Sequence, residues 1–199
     1  MQSIEFFSGS GTVSRVLKFR GFDAFTIDIN KKLKPDLCID ILELTKSALP
    51  PRADFLWFSP DCTCFSRAAK QSHWIKKELG YRKYFYTPAT PEAQVAIKLI
   101  EKVAEIISWY PNANYVIENP IGRIQHAAAL KSLGHHRYAV NYADYGFNYS
   151  KETYLFTNLM LPLSTVKVHS CKPGLRSVKS AYKRSIVPPA LVMLIANYL

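Results

Sequence analysis

At 199 residues and 48% hydrophobic content, the chain is long enough to bury a full core and short enough to read as a single domain. Lys and Arg outnumber Asp and Glu by 26 to 15, a net charge of +11, which favours a polyanionic partner but fits a merely solvated basic surface equally well. Four cysteines (Cys38, Cys62, Cys64, Cys171) are too few and too irregularly placed for a disulfide framework. No apolar run approaches bilayer length, and the N-terminus lacks the basic-then-apolar pattern of a leader, so a protein of the reducing cytoplasm, away from membranes, is expected.

Short apolar runs alternate with helical patterns, which predicts an α/β fold with a mostly parallel central sheet and helices on both faces. Strands are expected at SIEFF, DAFTIDI, LCIDI, DFLWFS, YVIEN, YAVNYA and TYLFTN. A helix from about Thr12 to Arg20 places Val13, Val16 and Leu17 on one face and stops at Gly21, a residue suited to the position after the cap. A longer helix starts with Thr90 as N-cap and Pro91 at its first position, carries Val95, Leu99, Val103 and Ile107 at helical spacing, and ends before Pro111. The last helix follows Pro188-Pro189. Cys38 and Cys171 read as small buried hydrophobes.

Two segments break this rhythm. Residues 67–88 carry six Lys/Arg against one Glu, interleaved with Trp74, Tyr81, Tyr84, Phe85 and Tyr86, and read as a long functional loop. Its aromatics can stack on bases or pack on the sheet, and packing is the better expectation for Phe85 than for Trp74. Residues 167–184 add Lys167, Lys172, Arg176, Lys179, Lys183 and Arg184 with no acidic residue.

Three strand ends carry chemistry. In EFFSGSGT, Gly9 and Gly11 let the backbone turn sharply ahead of a helix N-terminus, and Asp28 ends the next strand, where a carboxylate can accept both ribose hydroxyls of an adenosine group. Asp40 can take an adenine amino group or simply cap a turn. In DFLWFSPDCTCFS, Cys62 stands at the carboxyl end of a central strand, where ligands bind and a thiolate can act. Cys62 and Cys64 have no second close cysteine pair to complete a zinc site, so no metal is expected. In YVIENPIGR, Glu118 emerges on the same sheet edge as Cys62, able to hydrogen-bond a base, donate a proton or cap the next turn. His73, His135 and His136 have no spacing that assigns them a role.

In this order the motifs resemble those of DNA cytosine-5 methyltransferases. EFFSGSGT is similar to that family's cofactor loop, Asp28-Ile29 and CIDI fall on its cofactor contacts, and SPDCTCFS resembles its Pro-Pro-Cys-Gln-x-Phe-Ser nucleophile loop. ENP matches its Glu-Asn-Val motif, NYADYGFNYSKETYLFTN its target-contacting segment and KRSIVPPALVMLIA its final motif. The resemblance implies a Rossmann-like S-adenosylmethionine-dependent methyltransferase fold over residues 1–199. It places S-adenosylmethionine, or the product S-adenosylhomocysteine, against Phe6, Phe7, Ser8, Gly9, Gly11, Asp28, Ile29, Asp40, Ile41, Pro60 and Ser185. It makes Cys62 the nucleophile on C6 of cytosine and Glu118 the partner of N3. DNA contacts then fall on Ser66, Arg67, Lys70, Trp74, Lys76, Lys77, Asn119, Lys151 and Thr153, with 67–88 as a basic catalytic loop.

The departures shape the expectation. Asp61 replaces the second Pro, Thr63 the Gln and Pro120 the Val, while Lys151 and Thr153 stand where the family has two arginines. Only residues 159–184 occupy the place of a large target-recognition domain, so sequence readout is reduced or supplied by a separate partner. Short enzymes of this pattern resemble those of bacteriophages, acting in the host cytoplasm. Two rivals are a catalytically idle DNA-binding relative, favoured by Asp61 beside the thiol, and a pyrimidine methyltransferase acting on nucleotide or RNA.

Overall fold

The computed structural model describes residues 1–80, 83–163, 173, 174, 178 and 180–199. Tyr81, Arg82, Lys167, Cys171, Lys172, Arg176 and Lys179 lie outside the described residues, and with them most of the second basic stretch.

The chain folds as β1 (Gln2–Phe6), α1 (Thr12–Phe19), β2 (Asp23–Asp28), β3 (Leu37–Cys38), β4 (Phe55–Phe58), β5 (Trp74–Gly80), β6 (Lys83–Pro88) and α2 (Pro91–Ser108). It continues as β7 (Asn114–Pro120), α3 (Ala128–Lys131), β8 (His136–Asn141), β9 (Glu152–Thr157), α4 (Ala181–Ser185) and α5 (Pro189–Ala196). One sheet runs β3-β2-β1-β4-β7-β9-β8, parallel from β3 to β7, with β9 antiparallel to both its neighbours. All seven strands expected from apolar runs are present. The third is shortened because the Asp40 carboxylate caps a 3-10 turn, accepting the Leu42 N–H at 2.9 Å.

Central strands read as continuous apolar runs because both faces are covered. In β4 the period of two sends Leu56 and Phe58 into a core shared with Ile100 and Val103 of α2, while Phe55 and Trp57 enter a second core with Val13 of α1 and Leu191 of α5. Helix α1 ends as its sequence predicts. Gly21 adopts φ 84°, and the N–H groups of Gly21 and Phe22 return to the carbonyls of Lys18 and Leu17.

Three expectations need correction. Residues 67–88 are not a loop: a 3-10 turn leads into β5, which pairs antiparallel with β6, Lys76 opposite Tyr86 and Lys77 opposite Phe85. The residues that α2 buries fully are Ala93, Ala96, Ile100, Val103 and Ile106; of the expected stripe Val103 is buried and Leu99 and Ile107 pack half-buried on the core, but Val95 is 46% exposed. Cys38 is exposed, since β3 is a two-residue strand at the edge of the sheet.

Candidate active site

The strand order reverses between β1 and β4, and at such a switch point the carboxyl ends of neighbouring strands diverge and leave a crevice. The loop after β1 makes its side of that crevice with three left-handed residues: Phe7 (φ 56°), Gly9 (φ 49°) and Gly11 (φ 63°). Glycine adopts this freely, whereas Phe7 holds it at a cost of about 1–2 kcal/mol. The turn is tied down by the Ser8 N–H on the Ile27 carbonyl and the Gly9 N–H on Asp28 Oδ2, at 3.0 and 2.8 Å. Asp28 Oδ1 accepts the Asn30 N–H at 2.8 Å, so this carboxylate builds the loop as well as lining the crevice.

Two adjoining cavities share Phe7, Asp28 and Asp61. The first, about 1170 Å³ and open to solvent, includes Ser8, Gly9, Pro60, Cys62, Glu118 and Ser185 in its walls. The second, about 670 Å³, is a mostly apolar slot in which Ile29 and Ile41 face Val95 and Leu99 of α2, with Asp40 among its walls. Within the described residues Asp40 Oδ2 carries no protein hydrogen bond, leaving an acceptor available. Val95 and Leu99 were legible in sequence only as helix-core positions, not as walls of this slot.

Of the residues expected around a cofactor, Phe6 is not in either cavity. Its side chain is 0% exposed and stacked on Phe58 at 4.5 Å in the core, because β1 turns it to the opposite side from the loop. Gly11 serves as the N-cap position of α1 rather than as wall. The remaining nine positions line one cavity or the other.

Cys62 is half-buried where the chain leaves β4, and its carbonyl accepts the N–H groups of Phe65 and Ser66, both at 3.0 Å, in a tight turn. Burial first, then the nearby Glu118 carboxylate, push its thiol up to about 11, with Lys151 opposing and Asp61 adding a smaller rise. Asp61 is turned away into its own loop, where Oδ1 accepts the backbone N–H and the hydroxyl of Thr63.

Glu118 lies near the end of β7. Because β9 runs antiparallel beside it, the residue just before β9, Lys151, arrives at the same edge, and so does Tyr142 just after β8. Lys151 Nζ sits 3.3 Å from Glu118 Oε1, and Tyr142 donates its hydroxyl to the same oxygen at 2.7 Å. The Tyr142 hydroxyl is pushed well above its usual value by complete burial and by the Glu118 charge. Oε2 has no partner among the described residues and is the oxygen left for a ligand in the crevice. Nothing in the sequence singled out Tyr142.

The residues expected to touch DNA divide. Lys151 lines the crevice, and Lys70, Lys76 and Lys77 are exposed, whereas Arg67 is paired on the surface with Glu152 at 2.8 Å. Ser66 is half-buried and bridges to Gly122. Three assignments are corrected by burial: Thr153 and Asn119 are fully buried, and the Asn119 amide donates to the Pro60 carbonyl at 2.9 Å, strutting the nucleophile loop. Trp74, 8% exposed, packs on Phe65 and donates its indole N–H to the Cys64 carbonyl at 2.7 Å, while Phe85 is 49% exposed, the reverse of the expected order.

Glu5 was missed. It interrupts the apolar run of β1, and its Oε2 accepts the Ser14 N–H at 2.8 Å, supplying the cap that Gly11 lacks a side chain to give α1. Burial raises its carboxyl from about 4.5 to about 7. In that window the unfolded chain has already released the proton that the folded protein keeps, so stability falls as pH rises through it and stays lowered above it. Glu5→Gln keeps an acceptor and cannot ionise. Its melting temperature relative to the native protein is expected to be higher at pH 8 than at pH 4, and an equal difference at both would place the ionisation elsewhere.

No protein-family model matches the sequence, and no curated protein matches it. Solved structures do. A prophage-encoded E. coli protein described as a DNA modification methyltransferase superposes with a TM-score of 0.56 at 16% identity, over 79% of this chain and 46% of its own. The Entamoeba histolytica methyltransferase EhMeth gives 0.54 at 15%, over 87% and 57%, and the S. pombe Dnmt2 methyltransferase 0.50 at 17%, over 89% and 54%. The chain spans about half the length of each. The fold is the Rossmann-like one of these methyltransferases, a mostly parallel sheet with helices on both faces. Among the described residues no helix is long and apolar enough to cross a membrane, and no cluster of His, Cys, Asp or Glu could hold a metal ion.

Proposed function

We infer that the protein is a DNA cytosine-5 methyltransferase, transferring a methyl group from S-adenosylmethionine through a covalent adduct between Cys62 and C6 of the base. The observation that carries this reading is the crevice itself: a thiol and a carboxylate from two neighbouring strand ends share a cavity that continues into an apolar slot flanked by Asp28 and Asp40.

The residues present fit the cofactor. The slot between Ile29, Ile41, Val95 and Leu99 suits a flat adenine, Asp40 offers an acceptor for an exocyclic amine, and Asp28 keeps lone pairs for ribose hydroxyls. When bound, S-adenosylmethionine supplies an electrophilic methyl group carried on a sulfonium. The chain's own side chains do the rest. Cys62 adds as thiolate to C6, forming the S–C6 bond and sending the C5–C6 electron pair into the ring, which makes C5 nucleophilic. Glu118 Oε2 delivers a proton to N3 as negative charge develops there, help that is strongest in the transition state, with Lys151 and Tyr142 fixing the other oxygen. After C5 is methylated, loss of its proton restores the double bond and expels Cys62. Adding to C6 requires the base to leave the stack, a cost of a few kcal/mol that protein contacts must offset. The +11 net charge supports a polyanionic substrate.

The test is incubation with S-adenosylmethionine and cytosine-containing DNA, duplex and single-stranded, followed by digestion and mass spectrometry of the nucleosides. 5-Methylcytosine is expected; methylation of RNA or free nucleotide instead would move the substrate, and none on any of these would leave a binding protein.

A further inference from the structure

The β5–β6 hairpin stands outside the main sheet, and its two faces differ. On the inner face Trp74 is buried, and Tyr86 is half-buried with its ring 4.9 Å from His126. On the outer face Ile75 is 60% and Phe85 49% exposed, with Lys77 and Thr87 also exposed beside them. Two-stranded hairpins are marginal alone, so the inner face is what holds this one in place, and it leaves the outer face unpartnered. Large exposed apolar side chains beside a lysine form a surface built for contact rather than for packing.

We propose that this outer face is a duplex-DNA reader, the ribbon lying in a groove with Lys77 on a phosphate and Ile75 and Phe85 against base edges. A two-stranded ribbon fits the width of the major groove, and apolar side chains there distinguish thymine methyl groups. Charge selects the occupant: Lys77 is the cation of the outer face, exposed Lys70 lies just before the hairpin, and the only acid among the hairpin's described residues, Glu78, falls on the inner face with Lys76. Lys76 is engaged on the inner face, with Nζ 3.5 Å from the Tyr84 ring centroid. The root is tied to the chemistry, because Trp74 opens β5 and bonds the Cys64 carbonyl two residues from Cys62. A groove gripped by the outer face is therefore referenced to the nucleophile. This assignment rests on DNA being the substrate and supplies readout within residues 67–88 rather than from a separate partner.

The experiment measures binding of a random-sequence duplex across a salt series, and of the matching single strand, by the full chain and its variants. Lys77→Gln is expected to reduce the slope of log affinity against log salt by about 1, and Phe85→Ser or Ile75→Ser to lower duplex affinity about tenfold with the slope unchanged. Melting temperature and S-adenosylmethionine binding should stay as in the native protein, which shows the variants folded. Native protein that binds duplex while all variants bind equally well would overturn the hairpin's role and leave the proposed function standing. Hairpin-dependent duplex binding without methylcytosine would uphold the reader and overturn the enzyme. Absence of duplex binding, or a preference for the single strand, would overturn the reader.

Discussion

Cys62→Ala is expected to lower methyl transfer to DNA by at least about 10³-fold while leaving S-adenosylmethionine binding within a factor of about two. Among the described residues that line the crevice Cys62 carries the one thiol; removing it leaves orientation and charge but takes away the proposed route to a nucleophilic C5. The apolar slot and Asp28 lie at the other end of the crevice and are untouched by the change. The native enzyme carries a matching pH signature. Burial and Glu118 hold the thiol up to about 11, so the thiolate fraction rises about tenfold per pH unit up to that point. Below it, kcat/KM should climb with a slope near one, and a rate already flat from pH 7 would mean that a different group limits attack. A Cys62→Ala protein that methylates at the native rate would remove the nucleophile from the account altogether.

Gly122→Ala is expected to destabilise the protein by about 3 kcal/mol and to lower activity at least about 10²-fold. Gly122 follows β7 with extended backbone, so conformation is not the issue; space is. A Cβ there would land on the Phe65 carbonyl oxygen, with the Phe65 carbonyl carbon at 2.9 Å and Ser66 Cα at 3.0 Å. All three are backbone atoms of the loop that begins at Cys62, and the neighbouring Arg123 N–H is bonded to that same Phe65 carbonyl at 2.7 Å. The loop must shift, carrying Cys62 relative to Glu118. Thermal unfolding and initial rates measured together check this, and a native melting temperature with native rates would show that the two loops are not locked.

Much of this site was legible because it uses one recurring device. Asp28, Cys62 and Glu118 each stand at or just beyond the end of an apolar run, and in a parallel sheet those ends lie together by construction. Lys151 was legible as a departure from a motif but not as an ion partner, since the pairing depends on β9 running antiparallel to β7. Tyr142 was hidden in a segment read for other residues, and its role comes from β8 ending beside β7's neighbour. Glu5 did leave a signal: a carboxylate inside a buried strand must find a donor, and the uncapped helix after Gly11 needed an acceptor. The hairpin was missed because WIKKELG has no clean alternation; among its described side chains Trp74 alone is buried, so its apolar content resembled a loop's. The same thinness explains why Trp74 and Phe85 exchanged their expected places.

The most direct measurement uses DNA in which 5-fluorocytosine replaces cytosine. Fluorine cannot leave C5 as a proton does, so after methylation the double bond cannot re-form and Cys62 cannot be expelled. Intact-protein mass spectrometry after incubation with this DNA and S-adenosylmethionine should show a protein–DNA species carrying the transferred methyl group, absent when S-adenosylmethionine is omitted and absent in Cys62→Ala. Methyl transfer to ordinary DNA without any such adduct on the fluorinated strand would contradict the covalent role of Cys62.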